Sequence, residues 1–454
     1  MAFLRTYAAC TGLSFMAAAA VVVPVVALSG IAAAAQADDF VSQANRLYAD
    51  ISPNRRSDVV VLPVVAKMDA PPRSLSSLDL AAITPASSGV FKEFAAWASS
   101  SKQQDVLTAL ATVTKAKDWR DAYAFGQPYG ADDITPDLVR AKLYTELGDP
   151  ATLAGAQFLY LPALDKVMWL VNAEATRLAA DGKPNDAIDV LINGVFFCRQ
   201  ISDREFAKES LWGMQHASQL LERIRDVAYV ASLSTDQKLK EDVLITQINR
   251  LDEKSGYLDI SRIHFPRADR IAGQQVLERV YSPSGELNER VFAPTLARLG
   301  ATDHPLRLFS EAARWKTVAS QQTTKSLNQD KLNGMFDDWA SRWTIEWLDP
   351  RNRLPTVYSQ FGADRSKMAA VNASVWDEAA LFDARQIFRV ESAGTRTALS
   401  VLGVEMVRKS FPPQIQAIRP RFMEALDVDP YNPNRANGAR PPLEYFVPMR
   451  DTQG

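Results

Sequence analysis

Apolar residues recur at intervals of three and four positions through most of the chain, which is the spacing of amphipathic α-helices. The clearest example lies in the middle of the chain, where we predict three consecutive helices. The first is expected over Leu161–Ala180 and ends at Gly182, a residue that can adopt the left-handed C-cap conformation. Pro184 then suits the first turn of the second helix. The third is expected to begin at a capping box formed by Ser202 and Glu205.

This pattern predicts an all-α protein, either a multi-helix bundle or an irregular helical array. No pair of strands is expected before the C-terminal tail. The only β-branched apolar run, residues 59–65, suits either a buried strand or a helix that opens at Pro63. Near the C-terminus, Leu443, Tyr445 and Val447 alternate as in a short edge strand. A short extended or β tail is therefore expected to pack on the last helix.

Composition divides the chain into five segments. The first is a predicted signal peptide or N-terminal membrane anchor. A helical segment with a Pro- and Ser-rich loop follows, and then a central helical block, a C-terminal helical block and a Pro-rich tail. In this order the segments are 1–37, 38–133, 134–255, 256–410 and 411–454.

Export is predicted from the N-terminus. Arg5 is the only charged residue before Asp38, and the run between them is rich in Ala and Val. It ends in Ala35-Gln36-Ala37, a small-x-small pattern typical of signal peptide cleavage. The run is also long enough to span a bilayer, so an uncleaved anchor is the alternative. We therefore expect the rest of the chain in the periplasm or cell envelope, either free or anchored to the inner membrane.

Charge and chemically reactive residues narrow the functional classes. The formal net charge of −2 is spread without blocks of one sign, which argues against nucleic acid and anionic membrane surfaces as partners. Cys198 is the only cysteine after residue 37, so no intramolecular disulfide is expected in the processed chain. The three histidines, His216, His264 and His304, lie far apart and outside any metal-ligand spacing. Nucleophile-elbow, phosphate-loop and dinucleotide motifs are absent, and we predict no catalytic residue, metal or cofactor.

The most distinctive local feature is a set of tryptophans spaced four residues apart, on a helix predicted to extend nearly to Leu348. Acidic and basic residues follow the same spacing and would form a charged row beside the indoles. The simplest interpretation is a core stripe next to solvated ion pairs. The alternative is an aromatic groove with flanking carboxylates that binds a glycan or an extended peptide, because indoles stack on sugar faces. The candidate binding residues are Trp339, Trp343, Trp347, Asp338, Arg342 and Glu346.

Catalysis at this row is not expected. Asp338 and Glu346 would lie two helical turns apart, about 12 Å along the axis. That separation is long for the carboxylate pair of a glycosidase.

The hairpin around Gly182 resembles one tetratricopeptide unit. Its small and apolar residues stand roughly where that repeat places them, at Ala173, Leu178, Gly182, Ala187 and Ile188. A tetratricopeptide array would repeat this pattern at a fixed period, and no second copy is found in the sequence.

The C-terminal segment carries a second resemblance. A helix that runs to Arg408 is followed by a Phe-Pro step at 411–412, an Asp-Pro-Tyr step at 429–431 and a final Tyr445. This order resembles the C-terminal half of type II secretion major pseudopilins, although their membrane helix adjoins this segment and the apolar run here lies far upstream. Over more of its length, including residues 153–157, the chain resembles uncharacterised exported all-helical bacterial proteins. That resemblance implies no activity.

These observations lead to three hypotheses. The first is an extracytoplasmic helical scaffold or binding protein that presents helix faces to a protein or envelope-polymer partner, without catalysis. The second is a periplasmic all-α hydrolase or lyase acting on a glycan or peptide. It requires a concave pocket that joins carboxylates from separate helices, with at least one abnormal pKa. The third is a secretion-system-associated subunit that retains its N-terminal anchor. We favour the first.

Overall fold

A computed structural model of the protein describes residues 39–46, 48–116, 121–233, 239–252, 258–302, 305–432, 434 and 439–447. The predicted signal peptide or anchor at residues 1–37 lies outside these described residues. Within them, fifteen α-helices accompany one two-stranded sheet, which confirms the all-α prediction. A short helical segment at residues 39–46 and 48–49, here called the N-terminal helical segment, precedes the helices numbered below.

The α-helices are numbered in chain order, and several short 3₁₀ turns connect them. The helices are α1 (Asp58–Val65), α2 (Leu78–Ile83), α3 (Gly89–Ala98), α4 (Ser101–Thr114), α5 (Pro136–Arg140), α6 (Leu161–Ala180), α7 (Pro184–Ser202), α8 (Ala207–Leu233), α9 (Glu241–Arg250), α10 (Ala268–Val280), α11 (Glu289–Ala301), α12 (Leu308–Val318), α13 (Lys325–Trp343), α14 (Ala369–Ser374) and α15 (Ala379–Arg408). The 3₁₀ turns are Pro53–Arg55, Leu153–Gly155, Ile260–Arg262, Pro305–Arg307, Ala319–Gln321, Pro350–Arg353, Ser359–Asp364 and Ile415–Ile418.

The central helices α6, α7 and α8 form the middle of the larger core. The predicted bounds of α6 are confirmed, and Gly182 in the following turn has a φ of +75°, as the C-cap argument requires. Helices α7 and α8 approach closely at Gly213, where an added Cβ would lie 2.6 Å from the carbonyl oxygen of Cys198 and the backbone nitrogen of Ser202. Glycine is required there because backbone atoms of α7 occupy the space of a side chain.

The predicted capping box between α7 and α8 is wrong. Ser202 is the last residue of α7, and its hydroxyl donates to the Cys198 carbonyl oxygen within that helix. Helix α8 begins only at Ala207. The Glu205 carboxylate binds side chains from a distant part of the chain instead, which a local sequence rule cannot anticipate.

The β-branched run is helical and lies within α1. This helix begins at Asp58 and continues through Pro63, so it does not open at the proline. The Asp58 carboxylate accepts a hydrogen bond from Arg56 at 2.6 Å and another from the backbone N–H of Gly126 at 2.9 Å. A carboxylate at a helix N-terminus is favourable, which explains the earlier start.

One short sheet interrupts the helices, contrary to the expectation of no strand pair before the tail. Strand β1 (Thr145–Glu146) pairs antiparallel with β2 (Gln157–Phe158), with Thr145 opposite Phe158. Strands of two residues are too short to produce a readable alternation of apolar and polar positions.

The tail after α15 is extended and packs back on the end of this helix. Lys409 adopts a left-handed conformation with φ of 57°, and the Tyr445 hydroxyl donates to the Pro412 carbonyl oxygen at 2.9 Å. A single bridge joins Val428 to Pro442, so the predicted edge strand is reduced to an isolated bridge.

Buried apolar side chains form two clusters. The larger surrounds α6, α7 and α8, and the smaller lies between α10, α11, α13 and α14. Phe265 and Phe382 contact both clusters. In the described part of the chain, every helix is too short or too polar to cross a bilayer.

Candidate functional site

The predicted tryptophan row does not form one continuous helical stripe. Helix α13 ends at Trp343, so Trp347 and Glu346 lie beyond its C-terminus. The helix was expected to continue nearly to Leu348, and this expectation is wrong. Thr344 closes the helix as its C-cap residue and donates to the carbonyl oxygen of Ser341.

The first two indoles of the row are buried in the protein. Trp339 is 2 % exposed and Trp343 is 5 % exposed. The Trp343 indole N–H donates to the Ile263 carbonyl oxygen at 2.8 Å, and the Arg385 guanidinium lies 4.2 Å from its ring centroid. A ligand could stack on these two rings only if the surrounding side chains moved apart. Trp347 is half-buried and therefore partly accessible.

The charged row beside the indoles holds a loop in place. Arg342 Nε lies 2.9 Å from Asp338 Oδ1, and Arg342 Nη1 donates to the Arg351 carbonyl oxygen at 2.8 Å. The second carboxylate oxygen of Asp338 accepts from the backbone N–H of Val357 at 3.0 Å. The structure therefore brings Asp338 and Arg342 together but leaves Glu346 exposed. A ligand groove along this row stays a prediction.

Two of the three histidines lie among the described residues, and both accept or donate side-chain hydrogen bonds. His216 Nε2 lies 3.2 Å from Asp165 Oδ1. His264 Nε2 lies 2.8 Å from Glu205 Oε1. Over the described ranges, no group of three or more His, Cys, Asp and Glu side chains is arranged to hold a metal ion. His304 falls outside those ranges.

A surface cleft of about 620 Å³ opens between the N-terminal helical segment and the loops on either side of α5. This volume lies within the range of small-ligand sites. We call it the acidic cleft, and its principal lining residues are Asn45, Tyr129, Asp132, Asp133, Glu146 and Asp149.

The wall of the acidic cleft has one sign of charge. Asp132, Asp133, Glu146 and Asp149 are exposed carboxylates, and none of the described lining residues is Lys, Arg or His. Carboxylates gathered on a concave surface focus a negative potential into the cleft. The cleft is therefore suited to cationic groups.

Asn45 fixes one side of the cleft. Its side-chain N–H donates to the Tyr129 carbonyl oxygen at 3.0 Å, and its side-chain oxygen accepts from the Tyr129 backbone N–H at 2.7 Å. The next residue, Gly130, has a φ of +99° and donates to the Thr145 carbonyl oxygen at 3.2 Å. The loop is thus held on both sides, by the N-terminal helical segment and by β1.

Strand β1 places the opposite wall. Successive side chains of a strand point to opposite faces, so Thr145 is buried while Glu146 is exposed in the cleft. The Gly148 turn that follows has a φ of +73° and leads to Asp149. The carbonyl oxygen of Asp149 accepts from Arg298 of α11 at 3.3 Å, which ties this wall to the smaller core cluster.

Behind the cleft lies a buried polar cluster, defined here as Tyr48, Tyr129, Tyr160, Arg204 and Glu209. Arg204 Nε donates to Glu209 Oε1 at 2.8 Å, and Tyr129 Oη donates to Glu209 Oε2 at 2.8 Å. Tyr160 Oη donates to Glu209 Oε1. The Arg204 guanidinium also lies between aromatic rings, 4.1 Å from the Tyr48 centroid and 4.5 Å from the Tyr129 centroid.

The three phenols and the guanidinium of this cluster stay protonated near neutral pH. Burial raises the pKa of Tyr48, Tyr129 and Tyr160, so each phenol keeps its proton and can donate. Burial alone would lower the pKa of Arg204, but the adjacent Glu209 carboxylate holds it well above the usual range. The cluster is thus a preorganised support for the Tyr129 wall of the cleft.

Glu205 connects the cluster to a second set of charges. Its Oε1 lies 2.9 Å from Arg267 Nη2 and 2.8 Å from His264 Nε2, and its backbone N–H donates to Tyr48 Oη at 2.9 Å. Burial alone would raise the pKa of Glu205, but the hydrogen bonds from His264 and Arg267 lower it to about 2. The same contact with Glu205 raises the pKa of His264.

A pair of carboxyls with raised pKa lies outside the acidic cleft. Asp269 Oδ2 accepts from the backbone N–H of Ala207, the first residue of α8, at 2.8 Å. Burial nevertheless raises the pKa of Asp269 to about 7. Burial, together with repulsion from Asp269 and Asp377, raises the pKa of Glu378 well above its usual range. Two carboxyls in such a site hold protons at a pH where exposed carboxyls are ionised.

The sequence prediction missed the acidic cleft, the buried polar cluster, the charges around Glu205 and the carboxyl pair. Arg204, Glu205 and Glu209 fall within six positions of a helix connection, which is a visible excess of charge between apolar helices. Buried charges need partners, so this excess was a usable signal of an internal network. The acidic cleft had no comparable signal because its carboxylates come from separate stretches of the chain.

The resemblances to a tetratricopeptide unit, to pseudopilin tails and to exported helical proteins stay predictions. Comparison of the chain with protein-family models, curated proteins and solved structures finds no match.

Proposed function

We propose that the protein is an extracytoplasmic helical binding protein of the cell envelope, without catalytic activity, and that its acidic cleft binds a cationic segment of a protein partner. The single observation that carries this proposal is a concave site of about 620 Å³ with four carboxylates and no cation among its described lining residues. Lys and Arg side chains supply the positive charge and the hydrogen-bond donors that such a wall accepts.

The position of the perturbed carboxyls supports binding over catalysis at the cleft. General acid catalysis near neutral pH requires a carboxyl that keeps its proton. Asp269, whose pKa burial raises to about 7, is not among the residues that line the acidic cleft. The acidic cleft therefore has the charge and shape to bind a cationic group, and the candidate general acid Asp269 lies outside it.

The rigidity of the cleft wall also favours recognition. The Asn45 side-chain amide donates to the Tyr129 carbonyl oxygen and accepts from the Tyr129 backbone N–H. The Tyr129 hydroxyl donates to buried Glu209. A wall fixed in this way loses little conformational entropy when a ligand binds. The export predicted from residues 1–37 would place this surface in the envelope.

The proposal is tested by binding of a hexalysine peptide to the full chain, measured by titration calorimetry at low and high salt. Asp132→Asn with Asp133→Asn is expected to weaken binding roughly three- to tenfold, because each exposed charge pair contributes a few tenths of a kcal/mol to about 1 kcal/mol. Binding should also weaken as salt screens the cleft.

A matched control removes the same number of charges elsewhere. Glu222 and Asp242 are exposed carboxylates on α8 and α9, outside the acidic cleft. Glu222→Gln with Asp242→Asn should leave the affinity unchanged. Equal losses in the two double variants would mean that the peptide responds only to net charge, and the proposal would fail. If only the cleft variant loses affinity, crosslinked capture from native envelopes with the unaltered chain and with this variant would identify the natural ligand.

A second candidate function is hydrolysis of a glycan or peptide, and one observation favours it. Asp269 lies in α10 and Glu378 is the N-cap residue of α15, and a carboxyl with a raised pKa is what a general acid requires. Incubation of the chain with glycan strands and peptides, followed by mass spectrometry, tests this function. Turnover that Glu378→Gln abolishes would support it, whereas intact substrates would count against it.

A further inference from the structure

One aromatic ring lines the acidic cleft from the same stretch of chain that carries one of its carboxylates. Tyr144 directly precedes β1, and Glu146 is the second residue of that strand. Side chains two positions apart in an extended segment point to the same face. Both side chains therefore line the cleft, while Thr145 between them is buried on the other face. This wall of the cleft combines a phenol ring with a carboxylate.

Hydrogen bonds to neighbouring segments fix the backbone on which these two side chains stand. The Tyr144 carbonyl oxygen accepts from the backbone N–H of Leu159 at 3.1 Å, and the Thr145 carbonyl oxygen accepts from that of Gly130 at 3.2 Å. Thr145 also pairs with Phe158 of β2. The ring and the carboxylate are thus held on one face before a ligand binds, which lowers the entropy that binding costs.

The Tyr144 side chain is half-buried, and part of it is open to the cleft. In the described part of the chain, no other aromatic ring stacks on it and no cation lies over it. Partial burial and the nearby Glu146 carboxylate raise the pKa of the phenol, which therefore stays neutral. The cleft thus presents a neutral aromatic ring beside a negative charge.

Arginine and lysine side chains would contact such a ring and carboxylate differently. A guanidinium is planar, so it can stack on an aromatic face while its N–H groups donate to a carboxylate. An ammonium group is a compact and strongly hydrated point charge without a flat face to stack. The ring and the carboxylate together are therefore better suited to arginine than to lysine.

We propose that the acidic cleft recognises arginine side chains of its protein partner, and that Tyr144, stacked on the guanidinium, makes the cleft prefer arginine to lysine. Glu146 accepts hydrogen bonds from the same guanidinium. The carboxylates of Asp132, Asp133 and Asp149 supply a negative potential that attracts either cation, so they do not distinguish the two. This inference rests on the proposed function, because it names the type of side chain that the cleft binds.

The experiment compares hexaarginine with hexalysine on the full chain, by titration calorimetry at one salt concentration. The unaltered chain is expected to bind hexaarginine more tightly. Tyr144→Leu should weaken hexaarginine binding roughly two- to fivefold, which is the usual contribution of a cation stacked on an exposed ring, and should change hexalysine binding less. The ratio of the two dissociation constants, compared between this variant and the unaltered chain, therefore measures what the ring contributes.

Two further variants keep the result specific. Tyr144→Phe retains the ring without the hydroxyl, so its ratio should match that of the unaltered chain. Tyr229→Leu removes a tyrosine of α8 that is 53 % exposed and lies outside the acidic cleft, and it should also leave the ratio unchanged. Circular dichroism checks that each variant is folded.

The outcomes separate this inference from the proposed function. If neither peptide binds the unaltered chain, the proposed function fails and this inference fails with it. If both peptides bind but Tyr144→Leu keeps the full ratio, the cleft still binds cations and only the inference is wrong. If Tyr144→Phe loses the preference as well, the hydroxyl and not the stacked ring is its source, and the inference is again overturned.

Discussion

Arg204 donates through Nε to Glu209 Oε1 over 2.8 Å, and neither side chain is exposed to solvent. Two charges taken out of water have lost their hydration, so each depends on the other and on the remaining hydrogen bonds. Tyr129 and Tyr160 supply two of these bonds to the carboxylate. The pair therefore joins α8 to the loop that forms one wall of the acidic cleft.

The first prediction concerns this pair. Glu209→Gln should lower the free energy of unfolding by about 3–5 kcal/mol, because it leaves Arg204 buried and charged without a counter-charge. Urea denaturation followed by circular dichroism measures the change. Arg204→Met should have an effect of the same order, and the double variant should lose less than the sum of the two single losses.

The control for this cycle is an exposed pair. Arg140 and Asp137 lie 3.4 Å apart with side chains 79 % and 85 % exposed. Asp137→Asn should change stability by less than about 1 kcal/mol. If Glu209→Gln lowered the free energy of unfolding as little as Asp137→Asn does, the buried pair would not contribute to stability as predicted.

The second prediction concerns pH. Burial raises the folded-state pKa of Asp269 to about 7, above its unfolded value of about 3.9. The folded carboxyl therefore keeps a proton that the unfolded one releases, so its contribution to stability is fully present below about pH 4 and is lost as the pH rises through about 7. The contribution of Asp269 to the free energy of unfolding should therefore fall between about pH 4 and about pH 7 and change little above that.

Asp269→Asn isolates this contribution. The amide oxygen can still accept from the Ala207 N–H but cannot ionise, so the decline between about pH 4 and about pH 7 should flatten. His264 has a raised pKa and contributes in the same direction, and that share should remain in the variant. An unchanged slope in Asp269→Asn would contradict the assignment.

The third prediction separates the tryptophans. Trp343→Phe should destabilise the protein by about 2 kcal/mol, because the Ile263 carbonyl oxygen loses a buried donor and the smaller ring leaves a gap. Trp347→Phe should cost less than about 1 kcal/mol, since Trp347 is half-buried beyond the end of α13. Thermal unfolding of the two variants measures the difference, and equal melting temperatures would argue against it.

The fourth prediction uses two glycines inside helices. Gly213→Ala should destabilise strongly because the new Cβ would lie 2.6 Å from backbone atoms of α7. In Gly394→Ala, no atom outside the neighbouring backbone of α15 itself lies within 4 Å of the new Cβ, so this change should stabilise by up to about 1 kcal/mol. Urea unfolding of both variants gives the comparison, and a stable Gly213→Ala protein would mean that α7 and α8 can move apart.

The sequence predicted local features of the helices correctly but failed where distant residues determine the structure. Helix α6 was predicted with its observed bounds, because its apolar spacing and the Gly182 turn are local signals. The capping box at Ser202 failed because Glu205 binds His264 and Arg267, which lie about 60 residues further along the chain. The prediction that helix α13 continues through Trp347 was wrong. The helix ends at Trp343 with Thr344 as its C-cap, although the apolar spacing continues for four more residues.

The sequence by itself determined the all-α class, most of the helices and their buried faces. Helical hydrogen bonds join residues four positions apart, so the information needed for them is local. Only the tertiary structure decided the acidic cleft and the buried polar cluster. Tyr129 and Glu209 meet from positions 80 residues apart, and the cleft carboxylates gather only after loops from both sides of α5 are held in place. Long-range polar contacts depend on where helices cross, and no local spacing in the sequence records that.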